Sequence, residues 1–427
     1  MTRTPLSLLL TPCLMLCGIA QAAEISSCQD LQNIPTNSTA YYTFTQDIDC
    51  SGIDFRPIPY FLGVLDGDKG NGERYTISNL TINAEPNSGK NAGLFERILG
   101  NYLYADKTTQ IKNLHFINAA VYSDTNTYRG LLAGSADYSL FENITVKGLI
   151  VTGNNTGGNH PIAFEPSTGG LVGYTSYIDF SNIALHNVTL MLQGSEYYAG
   201  GIVGQEWPRS GVTNLGSQFK QVSVTNLSID AKACDHDLNE VYSCGAGGLI
   251  GQVSGSGQVG IEESAVIGKI YARYNAGGLI GHFPEVNWAE EGLPPTIINN
   301  SYTDVLLESD QYAGGLIGNA PNNDNVKINM SYVYAAGPVN VKGEDGGRGM
   351  VGNKGKSSNR VLTTEGYFDK DNTGKEYSGD RGSQRLSVTK MMDPATYATW
   401  NTDIWCIAPN IYPSLRYQQY QGYCISE

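Results

Sequence analysis

Three six-residue segments with the same pattern decide the fold: Ala246-Gly-Gly-Leu-Ile-Gly251, Ala276-Gly-Gly-Leu-Ile-Gly281 and Ala313-Gly-Gly-Leu-Ile-Gly318. Related segments occur at 91–95, 129–134, 168–173, 199–204 and 348–352. The aliphatic residues that follow the glycine are separated by 37, 40, 31, 47, 30, 37 and 34 residues along the chain. A constant segment with a variable gap indicates a repeated core turn that carries loops of different length.

A second recurring segment, apolar-x-Asn-apolar-x-apolar, lies between copies of the first. Clear copies are Ile77–Ile82, Ile111–Phe116, Phe141–Val146 and Phe180–Leu185. Apolar residues at alternate positions over a short segment predict a β-strand with one buried face. No stretch between residues 40 and 382 shows sustained helical periodicity.

Two or three short strands in each unit predict an all-β fold, a parallel β-solenoid (β-helix) in which each strand pairs with its copy one turn away. Glycines are predicted at corners that need positive φ or close backbone approach. Leu249, Leu279 and Leu316 are predicted to stack in the core. A β-propeller, with blades of about 40–45 residues, is the main alternative, but several gaps are too short for four strands.

Four regions are predicted along the chain: a signal peptide at 1–22, an N-terminal cap with the first strands at 23–65, repeats at 66–365 and a C-terminal cap at 366–427. Arg3 precedes an apolar run from Leu6 to Ile19, and Ala20-Gln-Ala22 fits a signal-peptidase site. The mature chain is therefore predicted to be exported. Its destination, which is the extracellular medium, the cell surface or the periplasm, is not predicted. A helix is predicted near Ser387–Trp400. No further stretch approaches the roughly 18 apolar residues of a membrane span, so none is predicted.

Six cysteines remain after the predicted cleavage, an even number that suits an oxidising compartment. Their proximity along the chain favours the pairs Cys28–Cys50, Cys234–Cys244 and Cys406–Cys424. The alternative connectivities stay open, since six cysteines allow about 15. Because no spacing is C-x-x-C, a structural role is predicted for all six.

Charge and composition limit the classes of partner. Lys and Arg number 27 against 41 Asp and Glu, a net charge of -14, which disfavours binding to nucleic acid or anionic lipid through bulk charge. Charged residues are only 16% of the chain and glycines number 51, a balance that suits a β protein held by backbone hydrogen bonds rather than by ion pairs.

The repeats resemble those of bacterial proteins that carry the GLUG motif, named for its Gly-Leu-x-Gly segment. The resemblance covers most of the mature chain and includes its opening, Tyr42–Asp49 and Gly63–Gly67, and its close, Tyr367–Asp369 and Tyr412–Leu415. It implies a β-helical region of a secreted, often adhesin-like protein. The family also includes metallopeptidases in which the repeats are accessory.

The sequence carries few signals of catalysis or metal binding. The five histidines include no His-Glu-x-x-His pair, which a zinc metallopeptidase of that type needs. The polygalacturonase order of motifs is also absent, although two carboxylates brought together by neighbouring repeats could still cleave a polysaccharide. Asp66-Gly-Asp68-Lys-Gly-Asn71 and the acidic segment 235–240 are the calcium candidates, each explained more simply as a turn or a solvated loop. No catalytic residue or cofactor is predicted, and calcium is left open.

Tyrosine, with 27 copies, is the remaining signal. If the tyrosines near the glycine segments recur on one outer face, they form a strip that could contact a sugar ring or a protein; these are Tyr128, Tyr197, Tyr198, Tyr242, Tyr274 and Tyr312. Half-buried strand positions are the simpler explanation, since tyrosine suits pleated strands. Variable loops are predicted at Gln205–Gln218, Cys234–Cys244 and Phe283–Thr296.

The sequence as a whole predicts an exported, non-enzymatic, adhesin-like protein that presents a rigid β-helical face to an extracellular glycan or protein. A structural component of an envelope or secretion assembly is the first alternative. A polysaccharide lyase or hydrolase built on a β-helix is the second. Ligand identity and oligomeric state are left open.

Overall fold

The computed structural model describes residues 22–84, 91–100, 108–124, 128–155, 166–194, 198–207, 216–233, 244–254, 258–284, 294–320, 326–343, 346–353 and 360–418. Strands dominate these residues, and helices are short. The all-β prediction is confirmed, and the large sheets are parallel. The proposed division at residues 65 and 365 stays a prediction.

The first strands, in chain order, are β1 Ala23–Ile25, β2 Tyr41–Phe44, β3 Ile48–Asp49, β4 Ile58–Phe61, β5 Val64–Asp66, β6 Tyr75–Ser78, β7 Thr81–Asn83, β8 Phe95–Leu99, β9 Thr109–Ser123, β10 Ala133–Asp137, β11 Ser139–Asn155, β12 Ser167–Gly169, β13 Val172–Ser176, β14 Asp179–Gly194, β15 Tyr198–Gly200, β16 Val203–Glu206 and β17 Gln218–Ala231. They are followed by β18 Gly245–Gly247, β19 Ile250–Val253, β20 Gly260–Glu262, β21 Ala265–Ala272, β22 Asn275–Gly277, β23 Ile280–His282, β24 Thr296–Ser309, β25 Tyr312–Gly314, β26 Ile317–Asn319, β27 Ile328–Ala335, β28 Val339–Val341, β29 Gly347–Arg348, β30 Val351–Asn353, β31 Val361–Asp369, β32 Gln384–Leu386, β33 Trp405–Cys406 and β34 Ser414–Leu415. The helices are α1 Cys28–Gln32, α2 Lys370–Thr373 and α3 Val388–Met391, with 3₁₀ turns at Pro394–Tyr397 and Arg416–Gln418.

The largest sheet has 17 strands, and its named strand pairs are parallel. Its centre consists of β9, β11, β14 and β17, each paired with the next along the chain. Leu114, Ile144, Ile183 and Val222 occupy one register position on these four strands. Corresponding residues of successive repeats therefore lie directly beside one another.

Two smaller parallel sheets are built from the glycine segments. The nine-stranded sheet runs in the order β30-β26-β23-β19-β16-β13-β10-β8-β4, and the six-stranded sheet runs β12-β15-β18-β22-β25-β29. The Leu249 amide donates to the Leu279 carbonyl at 2.9 Å, and the Leu279 amide donates to the Leu316 carbonyl at 2.8 Å. The three leucines are fully buried and lie on adjacent repeats, as predicted.

The core is a continuous cluster of buried apolar side chains from Ile25 to Phe368. Within it, Phe141, Phe180 and Phe219 are register partners whose ring centroids are 5.3 and 4.8 Å apart. The first pair is edge-to-face and the second is stacked, and aromatic pairs of either kind add about 0.5–1.5 kcal/mol beyond the area that they bury. Because each of these core phenylalanines contacts its register partner in the next repeat, the register between repeats determines how the core packs.

Asparagine provides many of the positive-φ positions of the long strands; others are Gly148, Gln221, Tyr332 and Glu365. Asn113, Asn143 and Asn182 have φ of 56°, 53° and 52°, and a second set at Asn118 and Asn187 behaves in the same way. Asn is the residue that tolerates this region best after glycine, because its side chain forms local hydrogen bonds. The asparagine of the second recurring segment therefore marks a bend that divides each long strand into straight segments.

The paired glycines act differently, because they allow close backbone approach. A Cβ atom on Gly248 would lie 2.0 Å from the Gly278 carbonyl oxygen. A Cβ atom on Gly278 would likewise lie 2.0 Å from the Gly315 carbonyl oxygen. No side chain fits in that space. Of the two roles predicted for these glycines, close approach is the one found at Gly248 and Gly278.

The C-terminal region covers the last repeat and then turns back along its side. β32 pairs with β31, and the amides of Gly349 and Met350 donate to Tyr377 and Ser378. Residues 387–418, called the strap below, then pack on the outer side of the 17-stranded sheet. The helix predicted near Ser387–Trp400 is two short turns, α3 and Pro394–Tyr397, since Pro394 begins a new turn after the first has ended.

The strap is held by a column of tyrosines. Tyr302, Tyr334 and Tyr367 are register partners on β24, β27 and β31, and the Tyr302 and Tyr334 rings stack at 4.9 Å. The Tyr334 hydroxyl donates to the Pro413 carbonyl at 2.6 Å. Trp400 and Trp405 complete this second buried cluster.

The disulfide Cys28–Cys50 is present, as predicted. Cys244 and Cys406 are also disulfide-bonded. Cys234 and Cys424 lie outside the described residues, so those two predicted pairings stay predictions. No helix in the described ranges has the length and apolar character needed to cross a membrane.

Candidate functional site

The tyrosines singled out in the sequence do not form an exposed strip where the structure describes them. Tyr198 is 1% exposed and Tyr274 is 7% exposed, whereas Tyr128 and Tyr312 are half-buried. Tyr128 stacks on Tyr174 at 4.8 Å. Tyr197 and Tyr242 lie outside the described residues.

The register of the strands explains why these tyrosines do not form an exposed strip. Tyr198 and Tyr312 lie in one column of the six-stranded sheet, but Gly245 and Asn275 occupy the two positions between them. Tyr274 precedes this column by one residue and is buried against Cys244. Ligand contact stays a prediction for the half-buried Tyr128 and Tyr312, while burial takes Tyr198 and Tyr274 off the surface.

The predicted variable loops fall largely outside the described residues, which omit 208–215, 234–243 and 285–293. At the start of the first loop, Gln205 and Glu206 belong to β16 and are buried, so the loop is shorter than predicted. Gln218, at its end, begins β17.

The first calcium candidate is a hydrogen-bonded turn. Asp66 accepts hydrogen bonds from the Tyr41 hydroxyl, from Asn113 Nδ2 at 2.8 Å and from the Asp68 amide at 3.1 Å. Burial opposes its ionisation, but these donors and the Lys112 ammonium, 3.5 Å away, hold the Asp66 pKa below its ordinary value. The carboxylate is thus already satisfied by protein groups.

The described part of the chain contains few clustered metal-ligating side chains. No group of three or more His, Cys, Asp or Glu side chains there is arranged to hold a metal ion. The second calcium candidate, 235–240, lies outside that part.

Glu206 is the most perturbed carboxyl group. It is 0% exposed and accepts hydrogen bonds from Thr175 Oγ1 and from Ser217 Oγ at 2.7 Å. Burial raises its pKa to about 7, the hydroxyl donors oppose that rise, and Asp137 adds to it. Because the Glu206 carboxyl group is fully buried, its ionisation affects the stability of the fold and the group does not contact a ligand.

One accessible surface among the described residues lies on β9, β11 and β14, and we call it the open lateral face. Its apolar part consists of Tyr122, Ile150 and Met191, which are 42%, 40% and 41% exposed. Tyr122 and Met191 are register partners of Thr152, the residue two positions after Ile150. With strands about 4.8 Å apart and alternate residues about 6.6 Å apart, the three side chains form one compact patch.

The polar part of the open lateral face is cationic. Lys147 is exposed on β11 and is the register partner of His186 on β14. His115 is the register partner of Thr145, two residues before Lys147. Arg74 Nη1 donates to the Asn143 carbonyl at 3.1 Å and to Thr145 Oγ1 at 3.0 Å, so its guanidinium lies beside them.

Burial and nearby charged groups both affect the pKa values of His115 and His186. Burial lowers the pKa of His115, and Lys147 and Arg74 lower it further, while Asp47 opposes them. Burial also lowers the pKa of His186, and Lys147 adds to this effect. Both rings therefore lie close to the Lys147 ammonium, in a chain whose net charge is -14.

None of the residues of the open lateral face was among the predicted site residues. A signal was present, however, in the strand pattern. Ile150 lies between Leu149 and Val151, and Met191 lies between Leu190 and Leu192, where strict alternation predicts polar residues facing outward. An apolar residue in the outward phase of a strand is the pattern of an exposed contact surface.

Comparisons with known proteins give distant similarities. No protein-family model matches the chain. An alignment of 154 positions with halomucin from Haloquadratum walsbyi shows 33% identity. It covers 32% of this chain and 2% of the length of halomucin. A crystal structure of a Bacteroides ovatus protein, provisionally described as an immunoglobulin A1 protease, matches with a TM-score of 0.42 and 16% identity over 93% of each chain.

Proposed function

We propose that the chain is an exported binding protein, adhesin-like, in which a parallel β-solenoid presents the open lateral face to an extracellular glycan or protein. The in-register parallel pairing of successive repeats supports the solenoid. The resemblance of the repeats to GLUG-motif proteins supports the adhesin-like role. The Cys28–Cys50 disulfide and the apolar N-terminal run support export.

The observation that carries the proposal is the exposed cluster of Tyr122, Ile150 and Met191 beside Lys147. An exposed aromatic ring with aliphatic neighbours and a nearby cation is the composition of a binding hot spot. Complete burial of one large apolar side chain is worth about 1.5–3 kcal/mol. Each of these side chains is already partly buried, so each contributes roughly 1 kcal/mol when a ligand covers it.

Rigidity of the scaffold favours this role. The side chains of the patch project from three adjacent strands whose backbones are paired along nearly their whole length. A preformed surface loses little conformational entropy on binding. The patch is thus suited to recognising an extended ligand without rearrangement.

The test is binding by the full mature chain to a glycan array and to a panel of immobilised extracellular proteins. Tyr122→Ser and Met191→Ser are expected to weaken binding at least several-fold. Tyr377→Ser is the matched control, because Tyr377 is 72% exposed and lies in the C-terminal region. Equal effects of Tyr122→Ser and Tyr377→Ser would contradict the assignment of the site.

Two outcomes would replace the proposal. Co-purification with envelope proteins, with no glycan or extracellular protein bound, would indicate a structural component of an assembly. Release of reducing or unsaturated sugars from a polysaccharide panel would indicate an enzyme.

A further inference from the structure

We propose that the open lateral face binds an anionic polysaccharide, with Lys147 contacting its acid groups and Tyr122 stacking on a sugar ring. The inference rests on the proposed function and specifies the class of ligand. It is carried by the position of a cationic cluster beside an apolar patch on the same three strands.

The two parts of the face are continuous. Lys147 ends one straight segment of β11, Gly148 has φ of 80° at the bend, and Ile150 lies in the next segment. On β9, His115 and Tyr122 are separated by the corresponding bend at Asn118. A ligand that crosses the bend therefore meets cationic groups on one side and apolar side chains on the other.

Exposed acids lie near this surface, Glu142 on β11 and Asp230 beside Met191, but neither is a register partner of Lys147. At physiological salt the screening length is about 8 Å, so distant acidic groups contribute little. The acid that acts on His115 is Asp47, whose carboxylate lies 3.2 Å from the Lys69 ammonium and is partly neutralised by it. Among the described residues, Lys147 has no ion-pair partner within 4.0 Å, so its charge is available to a ligand.

The size of the face favours a polysaccharide over an acidic protein. Three strands span about 10 Å across, and the eight residues from His115 to Tyr122 span about 26 Å along β9. The resulting area, roughly 260 Å², is well below the roughly 800 Å² per partner that a stable protein complex buries. A polymer of sugar rings with regularly spaced acid groups can be held by such a narrow strip.

Carboxylate-bearing and sulfate-bearing polymers share the chemistry that the face recognises, so both are used as probes. Binding of the full mature chain to hyaluronan, dextran sulfate and neutral dextran would be measured by biolayer interferometry. We expect binding to one or both charged polymers, weakening as salt rises from about 50 to about 200 mM. We expect no binding to neutral dextran.

The location is tested by two variants with the same change in charge. Lys147→Glu is expected to weaken binding of the charged polymer by about tenfold or more. Lys342→Glu is the control, because Lys342 is exposed and far from the site. It lies about five strand spacings, roughly 24 Å, from Lys147 along the sheet. This variant is expected to change binding less than about twofold. Tyr122→Ser is expected to weaken binding with little change in its salt dependence.

Three results would overturn the inference. Equal binding to neutral and charged dextrans would remove the role of charge but leave the proposed binding function in place. Equal effects of Lys147→Glu and Lys342→Glu would move the anion site off the open lateral face. Tyr122-dependent binding to a protein, with no polysaccharide bound, would assign the face to a different class of partner.

Discussion

Lys147 and His186 are register partners on neighbouring strands of the 17-stranded sheet. Burial lowers the pKa of the His186 imidazole, and the Lys147 ammonium lowers it further. Lys147 acts in the same way on His115, which lies on the strand on its other side. One exposed lysine thus adds to the effect of burial on two imidazoles of the open lateral face.

Replacing Lys147 with Gln should raise the pKa of both His115 and His186, because a like charge is removed from beside each ring. The shift would be followed by NMR titration of the histidine ring protons. Lys342→Gln, about five strand spacings away, should leave both values unchanged. If Lys147→Gln left both pKa values where they were, the cationic cluster would not exist as described.

Glu206 should make stability depend on pH. Its pKa is about 7 in the folded chain and near 4.5 when unfolded, so the folded state keeps the proton longer as pH rises. Between about pH 4.5 and pH 7 the unfolding free energy should therefore fall with rising pH, and Glu206→Gln should remove that fall. At pH 8 the variant should be more stable than the parent by about 1–3 kcal/mol.

The measurement for Glu206 is urea denaturation at pH 5 and pH 8. Glu262→Gln is the control, since Glu262 is exposed and pairs only across the surface with Lys220. An identical pH dependence in the parent and in Glu206→Gln would show that the carboxyl group is not sealed in the folded chain.

The bend at Asn143 gives a test of backbone strain. Asn143 has φ of 53°, donates to Asn113 Oδ1 at 2.7 Å and accepts from Asn182 Nδ2 at 3.0 Å. Asn143→Ala and Asn143→Gly both lose these hydrogen bonds, but only alanine is strained at positive φ. Asn143→Ala should therefore be less stable than Asn143→Gly by about 1 kcal/mol in denaturant unfolding. The reverse order would contradict the assigned backbone conformation.

The strap should depend on Tyr334, which is buried between Tyr302 and Trp405. Tyr334→Phe loses the hydrogen bond to Pro413 and should cost about 1 kcal/mol. Tyr334→Ala also leaves a cavity and should cost about 3–5 kcal/mol. Thermal unfolding and limited proteolysis of residues 387–418 would measure both effects, with Tyr377→Phe as the control. A strap that stayed protected from protease in Tyr334→Ala would not be held by this column.

The repeated segments were enough to predict the β class and the neighbourhood of Leu249, Leu279 and Leu316, because glycine spacing and strand alternation are local signals. The role of asparagine was missed, since a positive φ is a property of the bend and not of the alternation. The strap was also missed. Tyr334 and Pro413 are 79 residues apart, and no local pattern indicates that they touch.

The candidate site was missed for a related reason. Tyrosines near the glycine segments were chosen by their position in the repeat, but Tyr198 and Tyr274 point into packed regions that only register reveals. Tyr122, Ile150 and Met191 come from three repeats at unequal spacing in the sequence. They become neighbours only when β9, β11 and β14 are placed side by side.

Hydroxyl-radical footprinting with mass spectrometry tests the central claim most directly, because tyrosine and methionine side chains report their own exposure to solvent. The account predicts that a saturating concentration of a charged polymer that binds, hyaluronan or dextran sulfate, slows oxidation of Tyr122 and Met191 and leaves that of Tyr377 unchanged. Unchanged oxidation of Tyr122 and Met191 under conditions where that polymer is bound would contradict it.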